Sequence, residues 1–390
     1  MTMGPLDGVR VIDQTTVVVG PICARTLGDY GADVIKVESP SGDLLRTMAQ
    51  GSRNVGMSGK FLNFNRNKRS VCLDIKKKEG LRALKTLIQT ADVFVSNVRP
   101  QGLMRAGLDY EALSADNPRL IYCSIVGFGK GGRYYNRPAY DPIIQSVSGV
   151  AATLHRATGE PRFVPMVMTD HTTGLIAAQA IGFALFRREK TGVGEAIEVP
   201  MFENMASFVT SEHMGAATFD PPVGPTGDGR LLSPHYRPLP TKDGFITVAP
   251  NTDAQAFAFF DAIRRPELKA DPRFSSAAAR TKHAEEYFQI RIEGLSLKTT
   301  SEWLDIFIIP FPLAILIPDC KLPLALRSSR ERIIFRALAP TPSCLFLLLS
   351  ISSKTLRGIR ISFLPKAEID SLSVKIALVS SRYVFFLIVL

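Results

Sequence analysis

The stretch VRVIDQTTVVVGPICARTLGDYGADVIKVE, residues 9–38, decides the fold class. VRVID (9–13) and ADVIKVE (32–38) are short apolar runs of strand length. Between them Gly20-Pro21 opens ICARTLGDYG, with proline at a first helical position. Strand, helix and strand in about 30 residues is a βαβ unit. Outward from it the pattern repeats: SVCLDI (70–75) as a strand, a helix over 77–90 with Leu81, Leu84, Leu87 and Ile88 on one face, DVFVSN (92–97) as a strand, and RLIYCSIVGFG (119–129) as another. Near-continuous apolar strands are the mark of a parallel sheet covered on both faces. The expectation is a doubly wound α/β domain over 1–205.

Beyond it, TTGLIAAQAIGFALFRR (172–188) reads as a small-residue helix and EAIEVPMFE (195–203) as a strand running into a helix. Residues 206–238, rich in Pro and Gly towards their end, read as a linker. DGFITVAP (243–250), followed by a helix from Asp253, predicts a smaller α/β domain over 239–307.

With 390 residues, 46% hydrophobic and 21% charged, the chain is neither disordered nor collagen-like. Its length suits two to three domains. Five cysteines without CxxC spacing exclude a zinc ribbon and a disulfide framework, which points to a reducing compartment. MTMGPLDGVRV has neither the basic nor the apolar region of a secretory signal, and no apolar run approaches the ~20 residues of a membrane helix. A cytoplasmic protein without a membrane partner is expected. The net charge of +11 is uneven. Residues 308–390 hold 11 Lys and Arg against 4 Asp and Glu, one glycine, and no Asn, Gln, His, Met or Trp. The high pI is largely a property of that tail, so it makes no case for nucleic acid.

Candidate motifs divide sharply. GFGKGG (127–132) satisfies GxGxxG after a strand, but RYYNRPAYDP follows in place of a helix, so a glycine-rich turn is the better reading. The five histidines lack metal-ligand spacing, no metal site is expected, and neither a GxSxG elbow nor a Walker loop occurs. Asp170 ends VPMVMTD just before the small-residue helix. It suits a helix N-cap, and equally a nucleophile held near the positive end of the helix dipole. Around 63–80, Arg66, Lys68, Arg69, Lys76, Lys77 and Lys78 form either a solvated basic face or a multi-phosphate site. Arg99 and Arg105, after the strand DVFVSN, favour the phosphate reading, because open α/β sheets bind ligands at strand carboxyl ends.

LDGVRVID, LGDYGADVIKVESPSGD, NRNKRSVCLDIK, ADVFVSNVRPQGLMRAGLDYEAL, NPRLIYCSIVGFG, AYDPIIQSVSG, TDHTTGLIAAQAI and RREKTGVGEAIEVPMFE follow in order over residues 5–205. Together they resemble the class III CoA-transferases, the CaiB/BaiF family, and a weaker likeness runs on to SEWLDIF, ending at Phe307. The resemblance implies a large and a small domain, two chains interlocked as a homodimer, and transfer of coenzyme A from an acyl-CoA to a small carboxylic acid. CoA enters as a substrate; no permanently bound cofactor is implied. The chemistry would run through covalent aspartyl intermediates, with Asp170 as the matching aspartate. CoA contacts would fall on Val18, Val19, Asn65, Arg66, Asn67, Lys68, Asn97, Val98, Arg99, Arg105, Arg137 and Tyr140. A sister group, the α-methylacyl-CoA racemases, has a histidine near Tyr140, and tyrosine is a poor proton acceptor at neutral pH, which favours transfer. Formyl-CoA-type members have Gln where Val18 stands, which weighs against oxalate or formate. Many members have Arg or Pro close to Ser39, and the glycine-rich loop of the formyl-CoA type is not evident near 222–230.

The likeness stops where the composition changes. An out-of-frame reading from about residue 308 accounts for both, the alternative being a divergent carboxy-terminal domain. An inactive remnant that retains CoA affinity is therefore a second functional expectation, beside active transferase and racemase.

Overall fold

In the computed structural model the described residues are 4–48, 52–308 and 314–316. They form two compact units, Met1–Tyr236 and a second that begins at Arg237.

In the first unit the order is β1 (Arg10–Gln14), α1 (Val19–Asp29), β2 (Asp33–Glu38), α2 (Leu45–Met48), α3 (Gly59–Asn65), β3 (Lys68–Cys72), α4 (Lys78–Gln89), β4 (Val93–Ser96), α5 (Pro100–Ala106), α6 (Tyr110–Asp116) and β5 (Ile121–Val126). There follow α7 (Asp141–Val147), α8 (Val150–Thr158), α9 (Met168–Thr191), β6 (Glu195–Pro200) and α10 (Met201–His213). The six strands make one parallel sheet in the order β3-β2-β1-β4-β5-β6, the doubly wound arrangement expected. Alternation along the strands separates two cores. Val11, Val93, Val95, Cys123 and Ile125 face Cys23, Ala24 and Leu27 of α1 and Ala177, Ile181 and Ala184 of α9. Ile12, Phe94 and Tyr122 face Leu84, Ile88, Leu103 and Leu113 of α4–α6.

Three boundaries move, each for a physical reason. The third strand spans Lys68–Cys72 rather than 70–75: it is an edge strand, where the exposed Arg69 and Ser70 cost nothing. The fifth strand stops at Val126, before the glycine turn. The long helix begins at Met168, four residues ahead of its expected start, with Val167 at the N-cap position and no cap from Val167 itself. The N-cap reading of Asp170 is thereby overturned, since the residue lies inside the first turn.

The second unit contains β7 (Leu239–Pro240), β8 (Phe245–Val248), α11 (Asp253–Ala262), α12 (Ala277–Lys282), α13 (Ala284–Leu295), α14 (Thr300–Ile308) and β9 (Ala314–Leu316), its strands forming an antiparallel sheet. Trp303 is fully buried and stacks on Phe307 at 5.2 Å, among Phe259, Phe260 and Phe274. A Thr252–Gln255 capping box starts α11. The anomalous tail lies outside the described residues, save 308 and 314–316.

Candidate active site

The doubly wound order reverses between β1 and β4, and a cavity of about 250 Å³ opens beyond the carboxyl ends of β1, β4 and β5. Ligands of open α/β sheets bind at this switch point. The walls are the turn after β1 (Thr16–Val19), the loop after β4 (Asn97–Pro100), the loop after β5 (Tyr135–Tyr140) and Asp170 of α9.

Small residues bring α1 and α9 together: a Cβ on Gly174 would lie 2.6 Å from the Val19 carbonyl oxygen. That contact places Asp170, one turn earlier, beside the start of α1. The free N–H groups of α9 are capped from elsewhere. Asp141, first residue of α7, accepts from the Thr169 N–H and hydroxyl, both at 2.7 Å, and from the Asp170 N–H at 3.3 Å. Its second oxygen accepts from Gln145 Nε2 at 2.6 Å. Both carboxylates are buried. Burial first, and repulsion from Asp141 second, push the Asp170 carboxyl up to about 7. A carboxylate this poorly solvated, opening on a cavity, is suited to attack an electrophile or to exchange a proton near neutral pH.

The residues singled out in the sequence separate into two groups. Val18, Val19, Asn97, Val98, Arg99, Arg137 and Tyr140 line the cavity with Asp170. Val18 and Val19 are buried, Arg99 and Arg137 are exposed, and Tyr140, at the N-cap position of α7, is 60% exposed. Asn65, Arg66, Asn67, Lys68 and Arg105 are not among the lining residues. Arg66 and Asn67 bind Asp29, at 2.5 and 2.7 Å. Asn65 donates to the Phe61 carbonyl. Lys68 is buried, with Nζ donating to Asp13 Oδ2 at 2.8 Å, Asn65 Oδ1 at 2.9 Å and the Pro21 carbonyl at 3.0 Å. Arg105 is exposed on α5. The GFGKGG segment is a turn whose Gly129 and Lys130 N–H groups donate to Glu203 and Glu198. His171 meets the ring of Phe64 edge-on at 5.6 Å and is not among the residues lining the cavity.

Sequence reasoning missed Asp141. Its signal was present in AYDPIIQ, a carboxylate directly before a proline at a helix start. It also missed Lys36 and Asp43, a fully buried pair at 3.0 Å behind the β1 turn, for which no local signal exists. Among the described residues no group of three or more His, Cys, Asp or Glu could hold a metal, and no helix is long and apolar enough to cross a membrane.

The comparisons agree with one another. A family model, CoA-transferase family III, matches residues 6–309. The succinate–glutarate CoA-transferase of Agrobacterium fabrum is 34% identical over 292 residues, covering 73% of each chain. The acetyl-CoA:oxalate CoA-transferase of Acetobacter aceti is 35% identical over 308 residues, 78% of each. A crystal structure of a CaiB/BaiF family protein from Brucella suis superposes with a TM-score of 0.68 at 33% identity, covering 81% of this chain and 84% of that one.

Proposed function

The chain belongs to CoA-transferase family III, an enzyme family that works on CoA thioesters, and from that premise we propose that it moves CoA from an acyl-CoA to a carboxylate through intermediates on Asp170. The Asp170 carboxylate attacks the thioester carbonyl and expels CoA thiolate, leaving a mixed anhydride. The thiolate then attacks the aspartyl carbonyl, releasing the donor acid and forming an aspartyl-CoA thioester. An acceptor carboxylate attacks that thioester, CoA thiolate leaves again, and the new anhydride is cleaved by thiolate at the acceptor's carbonyl. Acyl-CoA of the acceptor departs and the Asp170 carboxylate is restored. No proton is consumed in any step, so the site needs an ionised Asp170 and a place to retain the thiolate.

One observation carries this reading: a buried, cavity-lining Asp170 with, among the described residues, no basic side chain bonded to its carboxylate. Desolvation keeps a carboxylate reactive, whereas a salt bridge would quench it. Among the described residues no histidine lines the cavity with Asp170 and Tyr140, which favours transfer over a two-base proton exchange. Exposed Arg99 and Arg137 at the cavity suit the phosphates of CoA. Glutarate is the first acceptor to try, because a relative carries it in its name, while Val18 weighs against the oxalate of another.

Incubation with succinyl-CoA and glutarate, followed by hydroxylamine trapping and mass spectrometry, should give an Asp170 hydroxamate. Asp170→Asn should give none. Undiminished exchange in that variant would remove Asp170 from the mechanism.

The out-of-frame reading of 308–390 is supported by the end of the family match at 309. Sequencing the nucleotides around codon 308 decides it: an alternative frame encoding family-like sequence is expected, and its absence favours a divergent domain.

A further inference from the structure

The turn that connects β1 to α1 carries an unusual backbone. Val17 has φ +66°, a left-handed conformation that β-branched residues avoid. Side chains hold the main-chain groups leading to it one after another. The Thr15 N–H donates to Asp13 Oδ1 at 3.0 Å, and Lys36 Nζ donates to the Thr15 carbonyl at 2.8 Å. Asn97 takes both groups of the next residue: Thr16 N–H to Oδ1 at 3.0 Å, and Nδ2 to the Thr16 carbonyl at 2.9 Å. The Val17 N–H donates to Asp43 Oδ1 at 3.3 Å. Two buried ion pairs stand behind these contacts, Lys36–Asp43 at 3.0 Å and Lys68–Asp13 at 2.8 Å.

We propose that Asn97, Asp43, Lys36 and, through Asp13, Lys68 are positioning residues that clamp the Thr15–Val17 turn and so hold the wall of the cavity, Val18 and Val19, against Asp170. The amide of Asn97 holds both main-chain groups of Thr16, and all three donors of the Lys68 ammonium go to Asp13, Asn65 and Pro21. The clamp matters to catalysis because the Val19 carbonyl packs directly on Gly174, one helical turn beyond Asp170. A turn that relaxed to an ordinary backbone would carry the start of α1 with it. Misplacement of a reacting group by about 1 Å is enough to slow a reaction about a hundredfold.

The proposal rests on Asp170 as the nucleophile, and its test separates the two. Asn97→Ala is the variant of choice, since it leaves no buried charge unpaired, and Asn97→Ser, which keeps one polar atom near Thr16, should be intermediate. Three quantities are measured on the full chain: deuterium uptake of a peptide spanning 12–20, the Kd for CoA, and the rate of trapped Asp170 adduct at saturating succinyl-CoA. Expected are uptake about tenfold faster, Kd within about threefold, and adduct formation about tenfold slower. Unchanged uptake overturns the clamp. A weaker Kd with an unchanged adduct rate also overturns it, and makes Asn97 a CoA contact. If the native chain forms no adduct the nucleophile reading falls, and uptake with Kd alone decides whether Asn97 holds the turn.

Discussion

The Asp170 carboxyl, pushed up to about 7 by burial and by Asp141, links chemistry to stability with opposite signs. Transfer needs the ionised form, so the adduct rate should fall about tenfold per pH unit below 7. In the folded chain Asp170 keeps its proton between about pH 4 and 7, where the unfolded chain has lost it, so its contribution to stability falls as pH rises through that window. Asp170→Asn should therefore be inactive and, above pH 7, more stable than the native chain by up to about 4 kcal/mol. The gain should vanish below about pH 4. Urea unfolding at pH 4 and 8 checks this; a variant no more stable at pH 8 would mean the carboxylate is well solvated. Asp141→Asn removes the second cause of the shift, so the acid limb of the rate profile should move to lower pH. Asp141→Ala orphans the Thr169 and Asp170 N–H groups and should cost about 1–3 kcal/mol. The cations divide as well. Arg99→Ala or Arg137→Ala should weaken CoA about tenfold at low salt, by loss of a charge-assisted contact to phosphate. Lys68→Met strands a buried Asp13 and should instead cost about 3–5 kcal/mol of stability; weakened CoA at unchanged stability would contradict the structural role of Lys68.

At the scale of elements, the α1–α9 contact is the sensitive one. Gly174→Ala drives a methyl into the Val19 carbonyl and the side chain of Ile22 and should cost about 1–3 kcal/mol. Activity should drop with it, because Asp170, the proposed nucleophile, and the opposite wall ride on these two helices; a fully active, fully stable variant would refute the close approach. Periodicity made the strands and helices of the sheet legible, since every buried strand satisfies apolar neighbours on both faces. It misplaced β3 because an edge strand does not need them. Two of the residues that line the cavity were marked by position: Arg99 follows the strand β4 and Asp170 lies at the start of α9, whereas Arg137, in the loop after β5, was singled out by the family resemblance alone. Illegible were the cap on α9, supplied by Asp141 28 residues upstream of Thr169, and the left-handed Val17. Valine gives no warning of φ +66°, because the side chains that hold it come from distant parts of the chain.

At the scale of the whole molecule, α9 leaves Leu175, Phe183 and Phe186 half or more exposed on one side, spaced for a single helical face. A second copy of the chain is the occupant that the family resemblance implies. Phe183→Asp together with Phe186→Asp should shift sedimentation from dimer to monomer while leaving the unit's circular dichroism unchanged; an unaffected dimer would place the interface elsewhere. The parallel sheet also sets an order in time. Its closing contacts are distant in sequence: the Asp92 carboxylate that accepts from the Arg10 N–H is 82 positions away. The cavity's first wall, at Thr16, and its buried carboxylate, at Asp170, leave a ribosome working at about 5–20 residues per second some 8–30 s apart. During that interval the nascent chain carries strands whose apolar faces have no α9 to cover them, and a chain stalled before α9 has most of the cavity's walls and lacks Asp170.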